Sequence, residues 1–149
     1  MTNELPAGVD VDFELTRFVR RVRSRSLRNL ATIHPKLDYG TFTFLLAIVD
    51  AEDGIRGSEL ADQIGVHKST ASRAIATLER LGLVSRVPDP DDGRAQLLVA
   101  EPIALERVGE YRRSSHEILQ SLVDDWSADE IASFARSLSR LNERAEQEL

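Results

Sequence analysis

Hydrophobic residues in this chain recur mostly at helical spacing. Leu15, Phe18, Val19, Val22, Leu30 and Ile33 form one stripe and predict a helix from about Val11 to Ile33. His34-Pro35 ends it, because proline keeps the residue before it out of helical geometry. Asp38 is a good cap for a second helix to Asp50, in which Phe42, Leu45, Leu46 and Val49 share one face. Ile55-Arg56-Gly57 has room only for a stub of strand that could pair with a sheet further on. A short helix then starts with Ser58 as its cap, buries Leu60, Ala61 and Ile64, and ends at Gly65, where the backbone is free to turn sharply. The next helix turns Ala71, Ala74, Ile75, Leu78 and Gly82 inward. At about 100° per residue, Ser69, Arg73, Ala76 and Arg80 lie on its opposite side, with Thr70, Ser72 and Thr77 on the shoulders.

The period then changes to two. Leu83 to Val87 alternates as a strand, and Gln96 to Ala100 can be its partner. Between them Pro88-Asp89-Pro90-Asp91-Asp92-Gly93-Arg94 is dense in turn formers and predicts a hairpin tip in solvent. Pro102 suits the first turn of a long helix to about Val123, with a stripe of Leu105, Val108, Ser115, Ile118, Leu119 and Leu122. Ser127-Ala128-Asp129-Glu130 is a capping box for the last helix, whose stripe is Ile131, Phe134, Ala135, Leu138 and Leu141. Helix, turn, helix, strand, hairpin, strand is the order of a winged helix-turn-helix. The expected fold class is mainly α (α+β), a single domain over 1–149. Its winged lobe spans 38–100, and the flanking helices at 9–37 and 101–149 keep part of their apolar stripes for a second subunit.

Charge sharpens the functional reading. The net charge of −6 is unexpected for a nucleic-acid binder, but it is segregated. Seven basic residues and no acids fall between Arg17 and Lys36, and four basic residues face only Glu79 between Val66 and Arg86. From Glu101 onward eleven acids face six arginines. Attraction to phosphate follows the local patch, screened over roughly 8–10 Å, more than the whole-chain sum. The absence of cysteine excludes disulfides, thiolate metal sites and a cysteine switch. No apolar run reaches the roughly 18–20 residues of a membrane span. The acidic start lacks a signal-peptide core, so a frayed first eight residues and a cytoplasmic location are expected, with no membrane partner.

Each candidate contact has a structural alternative. Ser69 and Thr70 can donate to phosphates or base edges, or cap the helix. Arg73 can bind guanine bidentately, or form an exposed ion pair. Lys68 and Arg80 read as phosphate clamps, with Ser72 and Thr77 beside them. Arg86, on a wing strand, is a further candidate DNA contact, or can pair with the wing aspartates. Arg94 has two readings: entry into a narrow minor groove, or a salt bridge with Asp91 or Asp92 that shapes the wing. His34, His67 and His116 lie on different elements without metal-ligand spacing, and no nucleophile elbow or phosphate loop occurs. No catalytic residue, metal site or cofactor is therefore expected.

Glu59-Leu60-Ala61, Ser69-Thr70-Ala71-Ser72-Arg73, Leu78-Glu79-Arg80-Leu81-Gly82-Leu83-Val84 and Asp89-Pro90-Asp91-Asp92-Gly93-Arg94 together resemble the MarR family of transcriptional regulators, over about Phe13 to Glu146. The resemblance implies a homodimer joined through its terminal helices, on a pseudo-palindromic double-stranded DNA operator. It also implies repression relieved by a small aromatic or phenolic anion. By the same likeness Arg17, Arg21, His34, Tyr39, Phe42 and Tyr111 are candidates for a ligand site, against a reading of the aromatics as core and the arginines as solvated. The chain departs from the family at Ala100-Glu101-Pro102-Ile103-Ala104, where the family commonly has Leu-Thr-Pro-x-Gly. The competing function is a winged-helix module that binds protein and has no specific DNA affinity, separable by whether the chain retards duplex DNA at low salt.

Overall fold

The computed structural model describes residues 10–148, so the fraying expected of the first eight lies outside the described residues. The chain divides into two compact units, residues 1–111 and 112–149.

In the first unit, α1 (Val11–Ile33) starts where the Asp10 carboxylate accepts the Phe13 amide at 2.8 Å. The α2 helix (Tyr39–Asp50) is capped by Asp38, which accepts the Thr41 amide at 2.9 Å and its hydroxyl at 2.7 Å. These bonds favour the ionised carboxyl and hold its pKa below the ordinary aspartate value. Then come β1 (Ile55–Arg56), α3 (Gly57–Ile64), α4 (Lys68–Arg80), β2 (Val84–Pro88), β3 (Gln96–Ala100) and α5 (Pro102–Leu122). The stub of strand does join the wing: β3 is the middle of an antiparallel sheet ordered β1-β3-β2. Ile55 and Arg86 both sit opposite Leu98, and Pro88 sits opposite Gln96. One core runs through this unit, with Leu30 and Ile33 from α1, Leu45 from α2, Leu60 from α3, Leu78 from α4, Leu98 from β3 and Val108 from α5 all buried.

Four local expectations are corrected. Ser58 is not the cap of α3, because β1 runs directly into the helix and Arg56 occupies the cap position. Glu59 reaches back to accept the Arg56 amide at 3.3 Å. Gly82 is exposed rather than inward, with α4 ending two residues earlier. Its φ of +68° lets the Leu83 amide return to Leu78 O and its own amide to Glu79 O, both at 3.0 Å. That closure satisfies carbonyls the helix end would otherwise leave open. The α2 helix buries Phe44 and Ile48 as well as Phe42 and Leu45, so its enclosed surface is wider than one stripe. In α5 the inward residues near the start are Ala104 and Val108, while Leu105 is exposed. The entry fixes this phase: the Glu101 amide bonds Leu83 O at 2.9 Å, and Glu101 O accepts the Ala104 amide at 2.8 Å.

The second unit holds the end of α5 and α6 (Ala128–Glu148). The predicted capping box is present, with Glu130 accepting the Ser127 amide at 2.8 Å and hydroxyl at 2.7 Å. The Glu130 amide bonds Ser127 Oγ at 3.3 Å in return. Trp126 packs edge-on to Phe134 with centroids 5.6 Å apart. Ile131, Phe134, Leu138 and Leu141 nevertheless stay exposed on α6. On α1 the same division appears, since Phe13, Leu15, Phe18, Val19 and Val22 are exposed whereas Leu30 and Ile33 are buried.

Candidate nucleic-acid interface

The α4 helix has two distinct faces because its sequence separates small apolar from polar positions. Ala71, Ala74, Ile75 and Leu78 are buried, which fixes the rotation of the helix. Lys68, Ser69, Thr70, Ser72, Arg73, Ala76 and Arg80 are exposed on the other side, and Thr77 is half-buried. His67 stands at the cap position without a side-chain bond to the helix. Arg80 donates to the Thr77 hydroxyl at 3.2 Å. Lys68 and Ser72 also line a shallow groove with Gly57, Ser58, Ile75 and Arg86, between the start of α3 and the wing. Donors and cations thus converge on a convex helix face, a surface suited to base edges and phosphates.

The wing pairs its charges differently from the sequence expectation. Arg86 does not meet the wing aspartates. It forms a two-point ion pair with Glu79 of α4, at 2.7 and 3.3 Å, because β2 runs alongside that helix. Arg94 forms no salt bridge with Asp91 or Asp92 among the described residues; only its amide is held, by Asp92 Oδ1 at 3.1 Å. Asp91 contributes its amide, which Asp89 Oδ1 accepts at 2.9 Å. Asp89 is the structural carboxylate, its side chain only 5% exposed. Arg56 donates to it through Nε at 2.8 Å and lies 3.9 Å from Asp92. The Asp91 amide and then Arg56 hold the Asp89 pKa below the ordinary value, and the bond to Asp89 raises that of Arg56. The spacing Asp89-Pro90-Asp91 could have pointed to the Asp89 turn. Arg56, 33 residues away, carries no such local signal.

The candidate ligand residues are only partly brought together. The Tyr111 hydroxyl is 2.8 Å from Ser26 Oγ, and its ring meets Phe42 edge-on at 5.0 Å. Tyr39 is covered by Arg23, whose guanidinium is 5.2 Å from the ring centroid, a cation–π contact. Arg17 instead pairs with Glu14 at 3.3 Å, and Arg21 is exposed. His34 Nδ1 accepts the Lys36 amide at 3.2 Å. Arg107 reaches the same junction and donates to Ile33 O at 2.7 Å. Only tertiary packing makes Ser26, Arg23 and Arg107 neighbours of these residues, so no local signal in the sequence points to them.

Two helices set by a glycine turn, preceded by β1 and followed by the β2–β3 hairpin that completes its sheet beside the second helix, define a winged helix-turn-helix protein. Residues 37–95 match the model of the MarR family. A helix-turn-helix-type transcriptional regulator of Bacillus subtilis (strain 168), YxaD, is 29% identical over 142 residues, covering 95% of this chain and 96% of that protein. The crystal structure of MarR is similar with a TM-score of 0.74 and 25% identity, covering 97% of this chain and 96% of that one. FabT of Streptococcus pneumoniae, solved in complex with DNA, shares the fold at a TM-score of 0.80 and 20% identity, over 92% of this chain and 96% of its own. The chain is thus similar to MarR-family transcriptional regulators, through the family model in its winged lobe and through these relatives over nearly its whole length. Among the described residues no helix is long and apolar enough to cross a membrane.

Proposed function

We propose that this chain is a transcriptional regulator that binds double-stranded DNA sequence-specifically, as a homodimer on a pseudo-palindromic operator. The observation that carries the reading is the exposed face of α4, where Ser69, Thr70, Ser72 and Arg73 stand clear of a buried apolar face. In this reading α4 enters the major groove, Arg73 reads a base edge, and Lys68 and Arg80 meet phosphates. Arg94 is the wing cation offered to the minor groove. The FabT complex with DNA supports the same use of the fold. The exposed apolar rows of α1 and α6 supply the dimer contact, a non-polar surface that association would remove from water. The finer reading, repression released by a small aromatic or phenolic anion, rests on the family likeness and on the aromatic cluster of Phe42 and Tyr111.

Binding of labelled duplex by the full chain, followed against salt, tests the reading. Affinity should fall linearly on a log–log plot with salt. Arg73→Ala should lose roughly 1–3 kcal/mol of discrimination between selected and random duplex, as expected for one bidentate base contact. Undiminished discrimination by Arg73→Ala removes that role. Failure of the wild type to bind any duplex at roughly 50 mM salt, where phosphate contacts are strong, contradicts DNA binding itself.

A further inference from the structure

Three arginines stand on or beside the wing, and two are already committed to carboxylates. Arg86 is held by Glu79 through both its Nε and a terminal nitrogen. Arg56, from β1, donates to Asp89, whose side chain is 5% exposed, while its own is 37% exposed. The side chain of Arg94 is the third, and among the described residues it makes no hydrogen bond or ion pair, although its amide is fixed by Asp92 at 3.1 Å. These bonds form a connected path. Arg56 anchors Asp89, Asp89 accepts the Asp91 amide at 2.9 Å, and the Asp89 amide bonds Ala95 O at 3.1 Å. The Ala95 amide closes the tip on Asp92 O at 2.8 Å.

Resting on the DNA-binding reading above, we propose that Arg56 is the positioning residue of the wing. It fixes the tip through Asp89 and Asp92 so that Arg94 is presented to DNA, and it touches no DNA itself. A guanidinium fork matches a carboxylate better than a lysine does, and its directional donors are occupied by the buried oxygen.

The test uses the full chain and the duplex that the wild type enriches from a random-sequence pool. In Arg56→Gln without DNA, hydrogen exchange at the Asp91 and Arg94 amides should accelerate, with α4 amides unchanged. Affinity for the selected duplex should fall roughly tenfold, the scale of one charge-assisted hydrogen bond. Arg94→Ala should lower the salt slope by about one, and Arg56→Gln should lower it only where Arg94 is present, leaving the slope of Arg94→Ala unchanged. Arg56→Gln combined with Arg94→Ala should be no weaker than Arg94→Ala alone. A slope that falls further in the double variant than in Arg94→Ala alone would make Arg56 a phosphate contact and overturn the assignment. Additive losses, or unchanged exchange and affinity, overturn it as well. If the wild type enriches no duplex, the DNA-binding reading fails and this assignment falls with it; if it does and Arg56→Gln behaves like wild type, only this assignment fails.

Discussion

Asp38, Asp89 and Glu130 are carboxylates whose bonds exist only in the folded chain, and all three have lowered pKa values. Thr41 is the main cause at Asp38, the Asp91 amide at Asp89 and the Ser127 hydroxyl at Glu130. A folded pKa below the unfolded one means that the ionised form favours folding. That stability is fully present above the unfolded range of about 4 and is lost as pH falls through the lowered folded values. Arg56, whose pKa is raised, stays charged throughout that window. Thermal unfolding followed by circular dichroism should therefore show the midpoint falling below about pH 4. Asp89→Asn keeps a turn acceptor but loses the charge, and should flatten part of that fall. An identical pH profile for Asp89→Asn would contradict the account of its ionisation. At this scale the sequence was least legible. Asp89 could be placed in a turn, but its partner Arg56 lies on another strand, and the pairing of Arg86 with Glu79 depends on how β2 passes α4.

Secondary elements were far more legible, because their boundaries are written in local chemistry. The Asp38 cap, the Ser127–Glu130 box and the Val11–Ile33 helix follow from spacing, and the fold contains each of them. Errors fell where tertiary packing sets the phase. Leu105 matched a helical stripe, but the hydrogen bond from Glu101 to Leu83 O rotates α5 so that Ala104 faces the core. Gly82 matched the stripe of α4 too, but its conformational freedom ends the helix. A Cβ there would meet nothing within 4 Å, so the cost of Gly82→Ala is conformational alone. It should destabilise the chain by roughly 1 kcal/mol, the penalty for a left-handed alanine. Urea unfolding should show a lower midpoint with an unchanged slope. Equal stability would contradict the assignment of this helix end.

Across the whole molecule, charge and apolar surface divide the labour. Cations cluster around α4 and on α1, while eleven of the acids lie from Glu101 onward. The apolar rows left exposed on α1 and α6 are large for a chain of 149 residues and give the proposed dimer its contact. Sequence periodicity showed that these helices are amphipathic, but it could not say what covers them, because a stripe looks the same against its own core or a second chain. The central claim is that two winged lobes of a dimer read DNA together, and enrichment of duplexes from a random-sequence pool tests it most directly. The account predicts an inverted repeat whose half-site centres are about 10 base pairs apart or a multiple of that, the spacing that puts both recognition helices on one face of the duplex. A pool that stays random, or one that converges on a single unpaired half-site, would contradict it.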